Sequence, residues 1–514
     1  MKGTVPVLKG SVASRLLGGS AAGSLGFALS VLQAVLQVPL LLQVWPAETF
    51  ILWVGVQGLF GLITSVDVGF HAFVGAEANM IGVAKSGDVQ RLLSSAMRFT
   101  TASAALQLAA CVAVSVIGCT WAGAGRSMSY LKDIGPPLVA LAAYWLIVGS
   151  QNGLLCRLYL AYGETVRYQL FGVAQKALLF IATVATAWCG GGVLKVAIAY
   201  AFAAGAVAAC NVIDLKWRRA AVMPRWETGC WSQGFAIFRR SLGISLSMFL
   251  DQITNGGVAA YVSAAIPSAT AAQFSTIRSL TNAISQASGV VMFPTVPELG
   301  RDATPSRIAR AALLIDALML VCVTPLAVAM TFAAPWIPDL YATWTRKVLS
   351  FDAVVFVALA AAVLIRQVGM PFTLFLSATN EVGSQFKATC LRAAVLAAGV
   401  ACLAAVGGAA GIAAALALAE AVVLGFAYLA TSFCFQQYNG CLGRLQAALA
   451  LAHVCTSVVV MFTAYRFVES SSGAYAAGVA VHAVIAITQV RAVPEGLREK
   501  LAMLLGGRGK AAGG

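Results

Sequence analysis

SLGISLSMFLDQITNGGVAAYVSAAIPSATAAQFSTIRSLTNAISQASGVVMFPTVPELG, residues 241–300, reads as two adjacent apolar helices interrupted by Asp251 and Arg278. A carboxylate and a guanidinium at membrane depth are costly and need a reason. On the first helix Ser247, Asp251 and Asn255 recur every four residues and share one face; on the second, Ser275, Arg278, Asn282 and Ser285 form a similar stripe. A lipid-facing helix would not tolerate either row, so both are expected to face the bundle interior or a water-filled cavity. Counting from the outer ends at ~1.5 Å per residue puts Arg278 roughly 12 Å and Asp251 roughly 20 Å deep.

Working outward, the same apolar texture fills the chain. Of 514 residues, 60% are hydrophobic and 10% charged, against about 25% charged in soluble domains. This is the composition of an all-α polytopic membrane protein. A helix needs ~20 apolar residues to cross ~30 Å of hydrocarbon, and on that rule there are fourteen crossings. They fall near 16–44, 48–82, 99–120, 136–160, 167–189, 192–213, 241–264, 270–296, 311–335, 352–378, 386–406, 409–433, 445–465 and 473–490. The expected organisation is an N-terminal six-helix lobe over 1–213, a basic linker over 214–240, a second six-helix lobe over 241–433, two extra helices over 434–490 and a tail over 491–514.

The charge of +15 comes from basic residues in alternate loops, so it carries no implication of nucleic acid. With the N-terminus and every second loop placed in the cytoplasm, twenty-five lysines and arginines lie inside and six outside, which orients both termini toward the cytoplasm. Lys2, Lys9 and Arg15 before the first long apolar run fit an uncleaved helix rather than a signal peptide. Tryptophans mark the expected interfaces: Trp45, Trp121, Trp188, Trp336 and Trp344 outside, Trp217, Trp226 and Trp231 inside. The linker over 214–240 reads as a membrane-surface connector obeying the charge rule, with attraction of anionic headgroups as the competing reading. Among twelve cysteines, Cys119 and Cys189 near outer helix ends are the pair open to a disulfide, and most others sit in apolar runs.

Three patches carry a resemblance. Val66–Arg98 has Asp67 with Gly69, then Gly87 with Asp88, then the run Leu92–Ala96; Ala271–Arg301 centres on Arg278 and exits through a Phe-Pro element; Phe375–Val395 contains an Ala-Thr-Asn step. Together they resemble the Wzx-type polysaccharide flippases of the multidrug/oligosaccharidyl-lipid/polysaccharide exporter superfamily. The resemblance implies an alternating-access carrier of lipid-linked oligosaccharide in the bacterial inner membrane, built from two six-helix lobes. It implies no cofactor, and it brings lipid-linked substrate, membrane lipids, proton or sodium coupling and other polysaccharide-assembly proteins as partners.

Arg278 then has a chemical task, since a guanidinium matches phosphate oxygens with parallel donors. Lys176 on the fifth crossing and Arg366 on the tenth, with Asn282, complete a candidate anion-binding set. Asp251 balances Arg278 in an empty site or binds a coupling cation; a permanent structural ion pair is the competing reading. Asp67 and His71, four apart on one helix face, are a protonatable pair suited to sensing a proton gradient; the alternative is a carboxylate holding a kink at Gly69. Glu420 reads as packed against a neighbour, and His453 and His482 as core or lipid-interface residues without a ligand-like partner. No metal spacing, phosphate loop or hydrolase triad is present. Two carriers of the same superfamily compete as functions, a cation-coupled multidrug exporter and a lipid II flippase. A membrane polysaccharide polymerase or ligase is the remote alternative, disfavoured by short outer loops.

Overall fold

In lipid a backbone has no hydrogen-bond partner but itself, and the computed structural model is accordingly helical, with no strand among the described residues. Those residues are 12–81, 85–121, 126–162, 164–292, 295, 299, 308–379, 381–466 and 471–492. The charged residues of the two ends, Lys2 and Lys9 at one and Arg498 to Lys510 at the other, lie outside them.

The chain resolves into two compact units, Met1–Leu280 with Ala342–Ser350, and Thr281–Tyr341 with Phe351–Gly514. In the first unit α1 (Val12–Leu42), α2 (Ala47–Ile81) and α3 (Ser86–Thr120) are followed by α4 (Arg126–Tyr144). A π-helical turn over Trp145–Gly149 then leads into the short α5 (Ser150–Leu155) and α6 (Arg157–Ala161). Next come α7 (Thr165–Trp188), α8 (Val193–Arg219) and α9 (Trp231–Gln252), the last continued through a second π turn, Ile253–Gly257, into α10 (Val258–Ala265). Then α11 (Ser268–Met292) passes from the first unit into the second.

The second unit holds α12 (Ile308–Leu318), a third π turn over Met319–Val323, α13 (Thr324–Ala333) and α15 (Ala353–Ala378). The short α14 (Ile337–Trp344) precedes α15. Last are α16 (Val382–Gln437), α17 (Leu445–Arg466) and α18 (Ser471–Ala492). Asp352 caps α15, its carboxylate accepting from the backbone N–H groups of Val354 and Val355, which satisfies two of the orphan donors at a helix start.

Among the described residues, ten helices are long and apolar enough to cross a membrane. One of these, α16, is a hairpin rather than a rod. Gly408 sits at φ 53°, and three pairs fold symmetrically about that region: Gly411 against Leu403, Gly399 against Ala415, and the ion pair of Arg392 with Glu420 at 3.2 Å. In a continuous helix the last pair would stand about 40 Å apart. The break falls where the sequence separates crossings 386–406 and 409–433. The remaining predicted crossings are helical too, but α9 and α11 are too polar to meet the same standard, as their serine and asparagine rows require.

Close packing explains the glycines of α2. A methyl group on Gly58 would lie 2.6 Å from the carbonyl oxygen of Gly256, and one on Gly69 would collide with the backbone of Ser245. The helix runs unbroken through Gly69, and this residue is a contact point for α9.

The linker is a folded element, which its composition does not reveal. Val222 is buried in a core with Leu92, Leu93, Leu154, Leu158, Leu215 and Ile237. Ser94 and Ser95 on α3 hold the segment by accepting from the backbone N–H groups of Arg225 and Cys230, at 3.0 Å each. Arg98 donates twice to the carbonyl oxygen of Trp226 and lies over the rings of Trp226 and Trp231. Trp45 also departs from its interfacial expectation: it is buried, and its indole N–H donates to the carbonyl oxygen of Gly191. All twelve cysteines are free thiols, Cys119 and Cys189 included.

Candidate functional site

Asp67 and His71 form the polar centre of the first unit. Both are 1% exposed, and α3 reads them with three residues on one of its own faces. Thr100 shares a hydrogen bond with His71 Nε2 at 3.3 Å, Ser103 donates to Asp67 Oδ1 at 2.7 Å, and Gln107 donates to Asp67 Oδ2 at 3.0 Å. Trp145, the first residue of a π turn, adds a bond to Asp67 Oδ2 at 2.9 Å. Burying a carboxylate is tolerable only when it is hydrogen-bonded, and here three neutral donors supply that without a cation. Oδ2 accepts from two donors at once, so a proton added there must displace one of these bonds. His71 owes its place to Gly153, where a methyl group would lie 2.7 Å from the imidazole Nδ1.

Arg278 closes a second site. Its guanidinium donates to the carbonyl oxygens of Thr254 and Asn255, at 2.6 and 3.1 Å, and to Asn255 Oδ1 at 3.4 Å. These acceptors lie in the second π turn, where the widened helix leaves carbonyls without their usual partner. Asp251 lies just before that turn, half-buried, with its backbone carbonyl accepting from Asn255 Nδ2. The row of Ser247, Asp251 and Asn255 thus turns partly on its own helix, Ser247 donating back to Gly243, while Ser241 and Ser245 are the buried serines.

The other predicted cations are placed differently from a buried cluster. Lys176 is exposed on α7 and donates to Ser30 Oγ on α1 at 2.8 Å. Arg366 is exposed on α15, while its neighbour Gln367 is buried and accepts from Ser288 Oγ at 2.6 Å. Asn282 is half-buried on the part of α11 that belongs to the second unit. Buried charge in the second unit belongs to Glu420, whose partner is Arg392.

A third polar centre was invisible in the sequence as a site. His453 on α17 and His482 on α18 face each other with Nδ1 atoms 2.7 Å apart. His453 Nε2 meets Gln489 Oε1 at 3.2 Å, His482 Nε2 meets Thr331 Oγ1 at 3.0 Å, and Thr324 donates to Gln489 Oε1 at 2.7 Å. All of these side chains are buried. The two histidines are therefore ligands of each other and of α13, not solitary core residues. Gln446, His453 and Ser457 share one face of α17, and His482 and Gln489 one face of α18; that spacing was the available signal.

No family model and no curated protein matches the chain. Solved structures do. The chain is similar to the lipid II flippase MurJ in an inward closed conformation, with TM-score 0.65, 11% identity, and coverage of 92% of this chain and 98% of that one. It is similar to an inward-facing multidrug resistance MATE family transporter of the MOP superfamily, with TM-score 0.63, 12% identity, and coverage of 79% and 95%. A MOP superfamily transporter from Pyrococcus furiosus, titled for the reverse polarity of its binding pocket, matches with TM-score 0.51, 14% identity, and coverage of 84% and 98%. These are flippases and transporters rather than enzymes, and this multi-pass membrane protein has the fold of the MOP superfamily.

Proposed function

We propose that the protein is a flippase or exporter that moves a polyprenyl-diphosphate-linked oligosaccharide from the cytoplasmic to the periplasmic leaflet by alternating access. The observation that carries this reading is the extent of the likeness to a lipid II flippase, which takes in 92% of this chain, against 79% for the inward-facing multidrug transporter. A lipid-linked substrate also suits the cations. In this reading Lys176, Arg366 and Arg278 take the anion-binding role toward phosphate oxygens, and Asn282 offers hydrogen bonds to sugar. Asp67, His71 and Asp251 take the coupling and gating roles, with both termini in the cytoplasm.

The test is a deletion strain complemented with variants. Arg366→Ala and Arg278→Ala are expected to abolish the surface polysaccharide ladder and to accumulate lipid-linked oligosaccharide in the inner leaflet, with the protein still inserted. An intact ladder would remove those residues from the substrate site.

A cation-coupled multidrug exporter is the second reading, favoured by Asp67, a buried carboxylate held, among the described residues, by neutral donors. It predicts lowered drug tolerance in the deletion strain with the ladder unchanged.

A further inference from the structure

The ends of α7 and α8 carry an ion network that none of the sites above uses. Asp214 on α8 accepts from Tyr159 at one oxygen and from both Arg167 and Arg218 at the other, at 2.8, 2.6 and 3.1 Å. Glu164 accepts from Arg219 at 2.6 Å and lies 3.6 Å from Arg167 Nε. Arg219 is further fixed over the ring of Tyr162, 4.3 Å from its centre. One carboxylate thus holds two guanidiniums side by side, and the acceptors run out before the donors do. Arg218 engages only Nε, and Arg167 leaves Nη2 unengaged, among the described residues.

Both guanidiniums border a groove of about 710 Å³ whose other walls are Glu164, Val166, Leu170, Phe171 and Ala174. Its apolar side is the outer face of α7, with Leu170 and Val166 well exposed. Three guanidiniums against two carboxylates, and roughly half a negative charge at the C-terminus of α8, leave the mouth of the groove net positive. Glu164 does not reverse this, because its carboxylate is already taken up by Arg219 and Arg167.

A paired set of guanidinium donors above an exposed apolar helix face, at the end of a membrane-crossing helix, fits a phosphate with a hydrocarbon chain attached. We infer that this groove binds one anionic phospholipid of the bilayer, its phosphate held by the Nη groups of Arg218 and Arg167 and an acyl chain lying along Val166, Leu170 and Ala174. Free inorganic phosphate shares the headgroup chemistry but has no use for the apolar wall. The inference rests on α7 and α8 crossing the membrane and not on the identity of the transported substrate.

The test is lipid retention by the full-length protein, read by native mass spectrometry after equilibration with phosphatidylglycerol or phosphatidylcholine. The wild type is expected to retain phosphatidylglycerol in preference. Arg218→Gln, which leaves the Arg167–Asp214 and Arg219–Glu164 pairs in place, is expected to lower that retention about fivefold, the effect of one basic side chain at an anionic surface, and to leave phosphatidylcholine unchanged. Ala174→Trp, which fills the groove without touching a charge, is expected to lower it as well. Equal retention of the two lipids, or wild-type retention in both variants, overturns the site. So does full displacement of phosphatidylglycerol by millimolar inorganic phosphate, or by an equal amount of polyprenyl diphosphate, which would reassign the groove to a free anion or to the substrate.

Discussion

The Nδ1 atoms of His453 and His482 stand 2.7 Å apart in a pocket of uncharged side chains, so a single hydrogen must lie between them. With Gln489 Oε1 as the acceptor of His453 Nε2–H, both imidazoles are satisfied in their neutral forms: His482 Nδ1–H donates to His453 Nδ1, and His482 Nε2 faces the hydroxyls of Thr331 and Ser457. The chain of bonds has one direction and ties α17 and α18 to α13. His482→Ala is expected to strip His453 and Thr331 of a partner and to cost about 1–3 kcal/mol, the penalty of buried groups left unpaired. Adding His453→Ala should cost less than the sum of the single changes, measured as a double-mutant cycle of thermal unfolding in detergent.

Arg392 and Glu420 give a sharper version of the same test. Arg392→Ala leaves a buried carboxylate without its guanidinium and is expected to destabilise by about 3–5 kcal/mol. Glu420→Gln in the same chain should recover much of that loss, since it removes the stranded charge. Unfolding midpoints of the single and double variants decide the matter.

Two glycines of similar sequence setting are expected to behave oppositely. Gly69→Ala places a methyl group on the backbone of Ser245, and overpacking of that kind costs about 1–3 kcal/mol. Gly87→Ala meets nothing within 4 Å and lies in the first turn of α3, so it should be neutral or gain up to about 1 kcal/mol from reduced backbone freedom. Yield of folded protein after detergent extraction ranks the two.

For Asp67 the informative pair is Asn against Leu. An asparagine can present its oxygen to Gln107 and Trp145 and its amide to the Ser103 hydroxyl, so Asp67→Asn is expected to fold while losing any dependence of transport on protonation at this position. Asp67→Leu strands three buried donors and is expected to lower stability by more than about 2 kcal/mol. Comparing melting behaviour with transport at two pH values separates the packing role from the coupling role.

The helix positions, the hairpin break near residue 407 and the polarity of α9 and α11 were legible because hydropathy reports directly on lipid exposure. The resemblance patches gain physical meaning in the fold: Leu92 and Leu93 enter the core and Ser94 and Ser95 hold the linker. What the sequence hid were relationships over long separation. The bonds between Asp67 and Ser103, or between Arg225 and Ser94, join residues 36 and 131 positions apart, and no local period encodes them. The helices that carry Lys176 and Arg366 were readable; the direction in which each side chain points was not. Trp45 misled for a related reason, since an aromatic ring near a helix end suits both an interface and a tight helix–loop contact.

The three π turns lend themselves to a different description. Each is in effect a one-residue insertion into a helix, and everything beyond it is rotated by about 100° relative to an uninterrupted α-helix. The first turn opens with Trp145, which bonds Asp67, and the second holds the Thr254 and Asn255 carbonyls that Arg278 takes up. Deleting a single residue from Leu146–Gly149 should restore an ordinary helix and turn Trp145, with its bond to Asp67, by about 100° relative to the helix that follows. The polar centres of this protein are therefore written as much in its residue count as in its residue types.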